Sequence, residues 1–292
     1  MIQLTRPGNL VLIAVAVVTG AVLASGADEM GTGVIRPLAM AVAATVMIAA
    51  GANALNDALD VDVDRINCPA RPIPAGIVSR RSAISLWILT TVAGLVLAYG
   101  VSRRHFVLAV ASAALLALYN HRLKHVAVVG NVICAAAVAA TLIFGGLIFD
   151  LNTGVLVASA FALLTMLARE IVKDLEDLVG DGAAGSRTLP AIVGSKSARA
   201  AALAVIVVTI AAVPVPYVAF NFSGTYLLVS VLAVIFLLSS AWILSDLSRP
   251  ADADPATGAR SRHIERYARV SLYLKLSMIA GLTAILFARL PA

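Results

Sequence analysis

Cysteine and histidine are both rare, two and four in 292 residues. Cys68 and Cys134 lie too far apart for a disulfide framework or a thiolate metal site, and the histidines form no ligand pattern. Charge is also scarce. Asp, Glu, Lys and Arg make up 13% of the chain against 61% hydrophobic residues, and mean hydropathy is +0.96. A soluble domain of this length could not cover its surface with so few polar groups. The net charge of +6 is spread over connections between apolar runs. That distribution argues against a nucleic acid partner and for membrane lipid headgroups or phosphorylated substrates. No protein partner can be inferred. The chain reads as an integral membrane protein.

Apolar runs of membrane-spanning length recur from end to end. They predict nine helices, at about 9–27, 35–56, 83–100, 105–120, 128–148, 154–172, 199–219, 224–245 and 268–288. This is an all-α, multi-pass bundle, read as one membrane-embedded domain over 1–292. The first run follows Arg6-Pro7 and leads into further spans, so it reads as a retained helix rather than a cleaved signal. Alanine, glycine and serine recur in the runs and allow helices to approach closely where lipid provides no hydrophobic drive for association. Pro214 and Pro216 are expected to kink the seventh span or end it early. Of the 22 Lys and Arg, one side of this topology holds only Arg36, Arg103, Arg104 and Arg289. The other 18 place the N-terminus and the even-numbered connections in the cytoplasm.

Both concentrations of acid fall on that cytoplasmic side. Residues 53–74 read NALNDALDVDVDRINCPARPIP and residues 169–190 read REIVKDLEDLVGDGAAGSRTLP. In each, three aspartates are spaced three and four apart: Asp57, Asp60 and Asp64, then Asp174, Asp177 and Asp181. On a continuous helix such a set spans about 60° of arc. Asn53 lies in the same arc, and Glu170 and Lys173 of the second block correspond to Asn53 and Asn56. Asp62 points elsewhere. Nine of the 16 acidic residues fall within residues 53–74 and 170–190, which is an internal pseudo-repeat rather than a generic solvated charge run.

Carboxylates crowded on one face at the membrane boundary require a compensating cation. Oxygen donors without histidine or thiolate point to Mg²⁺ or Mn²⁺, which share their shells with substrate phosphates. Both aspartate sets are therefore candidate metal and catalytic residues of one site. Asn53, Asn56, Arg71, Lys124, Lys173 and Arg187 are candidates for diphosphate contacts. A metal-held diphosphate at a membrane face implies a long apolar tail. The implied chemistry is ionisation of an allylic C–O bond followed by attack of a bound acceptor.

These motifs resemble the UbiA superfamily of intramembrane prenyltransferases over nearly the whole chain. Asn56-Asp57, Asp60 and Asp64 match its first aspartate-rich motif, and Asp174, Asp177 and Asp181 match its second. The resemblance implies nine helices, Mg²⁺ and a prenyl diphosphate. NCPARPIPAG is similar to both chlorophyll synthases and the archaeal-type geranylgeranyltransferases that act on geranylgeranylglyceryl phosphate. Arg169-Glu170, Lys173-Asp174, Glu176-Asp177, Gly180-Asp181 and Arg187 through Pro190 resemble the latter more closely. Arg6-Pro7 with Asn9, Tyr119-Asn120 with Leu123-Lys124, and Tyr273 with Lys275 extend the match. The resemblance thus implies a lipid-like phosphorylated acceptor, with Arg6, Asn9 and Tyr119 as candidate acceptor contacts. Ala58 and Leu59 depart from the family, where aromatic residues are commoner, and residues 252–263 have no assignable role. The alternative within the superfamily is an aromatic quinone precursor or a tetrapyrrole as acceptor. Transport through inverted repeats is disfavoured because both blocks face one side. The acceptor's proton could pass to a carboxylate or to the diphosphate.

Overall fold

The computed structural model describes residues 2–25, 29–183, 188–247 and 259–288. Among them a 3₁₀ turn (Ile2–Thr5) precedes eleven α-helices: α1 (Pro7–Ala24), α2 (Thr32–Leu59), α3 (Val61–Asn67), α4 (Arg80–Val101), α5 (Arg103–His121), α6 (Val129–Gly146), α7 (Thr153–Ala183), α8 (Leu189–Ala212), α9 (Val215–Phe220), α10 (Gly224–Asp246) and α11 (Ala259–Phe287). Residues 252–258 of the stretch without a role lie outside the described residues.

Among the described residues eight stretches are long and apolar enough to cross a membrane, α8 and α9 counting together as Leu189–Phe220. The fourth expected span, at 105–120, forms α5 but is not among the eight. Arg103, Arg104 and His105 at one end, with Asn120 and His121 at the other, shorten its apolar middle. Side chains such as Leu89 (69% exposed), Leu228 (74%) and Trp242 (67%) present apolar surface that only lipid would cover.

The chain divides into two compact units, residues 1–124 with 137–156 and residues 125–136 with 157–292. In the first, Val17, Ala41, Ala44, Ile48, Ala98, Ala109 and Phe144 form a core of small and branched side chains. Glycine permits the closest approach there. A Cβ on Gly20 would lie 2.0 Å from the Leu142 carbonyl oxygen, and one on Gly145 would lie 1.8 Å from that of Val17. Buried His105 accepts from the Ser102 hydroxyl through Nδ1 (2.8 Å) and donates through Nε2 to the Phe144 carbonyl (3.0 Å). It is a structural histidine.

The second unit packs α8, α10 and α11 around Val172, Ile206, Leu244, Val270 and Leu274. Several of its buried hydroxyls bond carbonyls of their own helix, as Thr209 does with Val205 (2.7 Å) and Ser240 with Phe236 (2.9 Å). The expected proline break is present. α8 ends at Ala212, Pro216 enters the first turn of α9, and the Tyr226 hydroxyl donates to the freed Val213 carbonyl at 2.7 Å. An unanticipated kink lies at Gly194, where φ is 81°. In α11, a Cβ at Gly281 would meet Ala233 at an unstrained 4.0 Å. Gly281→Ala is therefore expected to raise the thermal midpoint in detergent by a few degrees, in line with the roughly 1 kcal/mol that separates glycine from alanine in a helix.

Candidate metal and diphosphate site

The first aspartate block does not lie on one unbroken helix. α2 stops at Leu59 and α3 starts at Val61, with Asp60 between them at φ −95°, ψ 13°. Hydrogen bonding continues across the bend, from Asp60 N–H to the Asn56 carbonyl (2.9 Å) and from Asp64 N–H to the Asp60 carbonyl (2.8 Å). No proline or glycine causes the break. The ion pair between Asp60 and Lys124 holds it.

Asp57, Asp60 and Asp64 each pair with a basic side chain, Arg71 from the same block and Arg6 and Lys124 from distant parts of the sequence. Arg6 Nη2 donates to Asp57 Oδ1 at 2.6 Å. Arg71 Nη1 lies 2.7 Å from both oxygens of Asp64 and 3.6 Å from Asp57 Oδ1, so one cationic nitrogen stands between two carboxylates. Lys124 pairs with Asp60. Asp57 and Asp64 are buried, at 3% and 5% exposure. Burial pushes the Asp64 carboxyl above its ordinary range, and Arg71 pulls it back. Burial would lower the Arg71 guanidinium, but the Asp64 hydrogen bond and charge carry it above its usual value. Asp62 accepts from Arg65 at the exposed surface (2.8 Å), away from the other three carboxylates.

Small apolar anchors aim the cations. Leu4, fully buried, packs with Ala58, Ile73, Val78 and Ala83. This cluster seats the turn before Arg6 and the loop that carries Arg71. Arg6 itself has left-handed backbone geometry (φ 53°, ψ 67°), an uncommon conformation for a residue with a side chain. Asn53 Nδ2 donates to the Thr5 carbonyl at 3.0 Å, so it braces the same turn. The Arg71 loop closes with Ile77 and Val78 N–H groups donating to the Pro72 carbonyl (2.9 and 3.0 Å), and Gly76 supplies φ 73°.

Other candidates of the first unit sit close by in sequence. Asn56 is half-buried, Asn9 is exposed in the first turn of α1, and Tyr119 is half-buried beside buried Asn120. Asn120 Nδ2 donates to the Ala52 and Leu116 carbonyls at 3.3 and 3.0 Å.

The second block follows the expected geometry more closely. α7 is continuous through Ala183, so Asp174 and Asp177 share one helical face. Asp174 is half-buried and accepts from Asn131 Nδ2 at 2.9 Å. Asp177 and Lys173 are exposed, and Glu170 pairs with Arg169 at 2.7 Å. The Asp181 side chain and Arg187 lie outside the described residues.

Among the described residues, no three acidic, histidine or cysteine side chains close around one point. The donor chemistry still fits a hard divalent ion. Asp57 and Asp64 already share one cation, and the three carboxylates of the first block supply oxygen donors. Sequence reasoning missed Leu4 and Asn131. A lone leucine before Arg-Pro and an asparagine at a helix start each have commoner uses, so neither gave a signal.

Residues 11–262 match the UbiA prenyltransferase family. The digeranylgeranylglyceryl phosphate synthase of Natronomonas pharaonis is 35% identical over 99% of this chain and 96% of its own length. A solved structure of a digeranylgeranylglyceryl phosphate synthase superposes with a TM-score of 0.74 at 26% identity, covering 98% of this chain and 96% of that one. A UbiA homologue from Archaeoglobus fulgidus, bound to GPP and Mg²⁺, has the same fold. Its TM-score is 0.69 at 16% identity, over 96% of this chain and 98% of that one.

Proposed function

Because the chain belongs to the UbiA prenyltransferase family, we propose that it transfers a geranylgeranyl group from geranylgeranyl diphosphate to the free hydroxyl of 3-O-geranylgeranylglyceryl phosphate. The products are 2,3-di-O-geranylgeranylglyceryl phosphate and diphosphate, within ether-lipid biosynthesis. The donor's allylic C–O bond breaks, the acceptor oxygen forms the new ether bond, and the hydroxyl proton leaves to a carboxylate or to diphosphate. The choice of acceptor is supported by the similarity over 99% of the chain to a synthase of that lipid.

The observation that carries the reaction class is the set of three carboxylates and three cations gathered where α2 turns into α3. Such a set offers oxygen ligands to a metal and basic donors to phosphate oxygens in one place. In this reading Asp57, Asp60 and Asp64, and in the second block Asp174, Asp177 and Asp181, serve as the metal-ligating carboxylates of one reaction. Mg²⁺ or Mn²⁺, when bound, would supply charge neutralisation for the departing diphosphate. Arg71, Lys124, Lys173 and Arg187 hold phosphate oxygens, with Asn53 and Asn56 beside them. Arg6 joins the donor side because it lies on Asp57, while Asn9 and Tyr119 are kept for the acceptor. The excess of basic residues beside both blocks supports a site open to the cytoplasm, in a multi-pass membrane protein acting as a single prenyltransferase domain.

The test is product analysis by mass. Purified protein receives Mg²⁺, geranylgeranyl diphosphate and either geranylgeranylglyceryl phosphate, a phenolic acid or a chlorophyllide. Only the first should be prenylated, chelation with EDTA should stop the reaction, and Mg²⁺ should restore it. Prenylation of an aromatic or tetrapyrrole acceptor with the glyceryl phosphate untouched would overturn the assignment.

A further inference from the structure

We propose that Arg6, Arg71 and Lys124 are resident counter-ions, which keep Asp57, Asp60 and Asp64 closed to a divalent ion until a diphosphate takes the three cations over. This rests on the prenyl-diphosphate reading above and adds an order of binding to it.

The structure sets three cations on three carboxylates: Arg6 on Asp57, Arg71 on Asp64 with a longer contact to Asp57, and Lys124 on Asp60. Three negative and three positive charges cancel, so the cluster offers a free divalent ion little net attraction. The carboxylate oxygens a metal needs are already accepting short hydrogen bonds, at 2.6 Å from Arg6 and 2.7 Å from Arg71. A diphosphate competes for the cations, not for the carboxylates. Each cation it captures frees a carboxylate, and the freed oxygens are the hard donors that a divalent ion prefers.

The cations do not depend on the carboxylates for their place. Leu4 is fully buried and Asn53 holds the Thr5 carbonyl, so the turn before Arg6 stays seated when Asp57 lets go. Ile73 and Val78 anchor the Arg71 loop in the same apolar cluster. Lys124 sits on a 3₁₀ turn (Leu123–His125) directly after α5. Each side chain can therefore change partner without a large backbone movement. By thermodynamic linkage, metal and diphosphate then tighten each other's binding by the same factor.

The experiment measures metal binding without turnover. Detergent-solubilised full-length protein is dialysed against Mn²⁺ alone, and bound metal is read by electron paramagnetic resonance. Wild type is compared with Lys124→Met and Arg6→Met, each checked for monodispersity. Both variants should bind Mn²⁺ about tenfold more tightly than wild type, because Lys124→Met takes the cation from Asp60 and Arg6→Met leaves Asp57 with the longer 3.6 Å contact to Arg71. Inorganic diphosphate should raise Mn²⁺ retention by wild type and do so less for the variants. If wild type binds Mn²⁺ alone as tightly as both variants, the counter-ion proposal is overturned while the metal site stands. If no protein retains Mn²⁺ with or without diphosphate, the prenyl-diphosphate reading itself fails and takes the proposal with it.

Discussion

Asp177→Asn is expected to lower product formation by roughly a hundredfold to a thousandfold, the loss typical of removing one preorganised electrostatic group, with the melting midpoint unchanged. Asp177 is exposed near the end of α7, and asparagine keeps its size and helical backbone. An effect on rate alone would separate chemistry from structure, which Asp57 cannot do. Asp57 is 3% exposed and accepts from Arg6 while lying 3.6 Å from Arg71, so its loss also releases the Arg6 guanidinium and takes from Arg71 the second of its two carboxylates. Asp62→Asn is the internal control. Its carboxylate is exposed and pairs with Arg65, and turnover should stay at the parent level. The measurement is initial rate by mass spectrometry at saturating Mg²⁺. An Asp177→Asn protein within a factor of two of the parent would remove the second block from the reaction.

The largest expected effect on folding is at Gly20 and Gly145. An alanine methyl at either position would lie far inside van der Waals contact with a carbonyl oxygen of the facing helix, 2.0 Å from Leu142 or 1.8 Å from Val17. Backbone cannot yield as a flexible side chain can, so α1 and α6 would have to separate along their whole contact. Each substitution is expected to cost more than about 4 kcal/mol, the range reserved for core overpacking and similar failures. Size-exclusion chromatography in detergent should show aggregated or absent protein. Gly8→Ala, with nothing within 4 Å of the added methyl, should leave the elution profile unchanged. A well-folded Gly145→Ala protein would contradict the close crossing of α1 and α6.

Membrane-spanning helices were legible because lipid imposes one rule, an unbroken apolar run, and that rule is local. α5 shows where the rule blurs. Its apolar middle reads as a span, while its polar ends leave it outside the eight. Pro214 and Pro216 were legible for another local reason, a missing donor and a fixed φ. The arrangement of the first block was only partly legible. Helical phase set Asp62 apart from the other three, and its carboxylate is exposed beside Arg65, yet phase assumes a continuous helix, and the chain turns at Asp60 without any breaker in the sequence. What holds that turn is Lys124, 64 positions away, and nothing local announces such a pair. The same distance effect hid one contact of Arg6: the resemblance suggested an acceptor contact, and the fold also pairs its guanidinium with Asp57, 51 positions away. The 117-residue repeat, finally, is one of spacing and not of backbone, since α7 runs straight where α2 ends.

Burial of Leu4 also imposes a timetable on the nascent chain. Its packing partners extend to Ala83, so the turn at the start of the chain has nowhere to dock until that residue has left the ribosome. At about 5–20 residues per second, several seconds pass first. Asp60 waits a comparable time for Lys124. During this interval the emerging polypeptide carries uncompensated carboxylates at the membrane boundary, and slower translation between residues 60 and 124 would prolong that exposure.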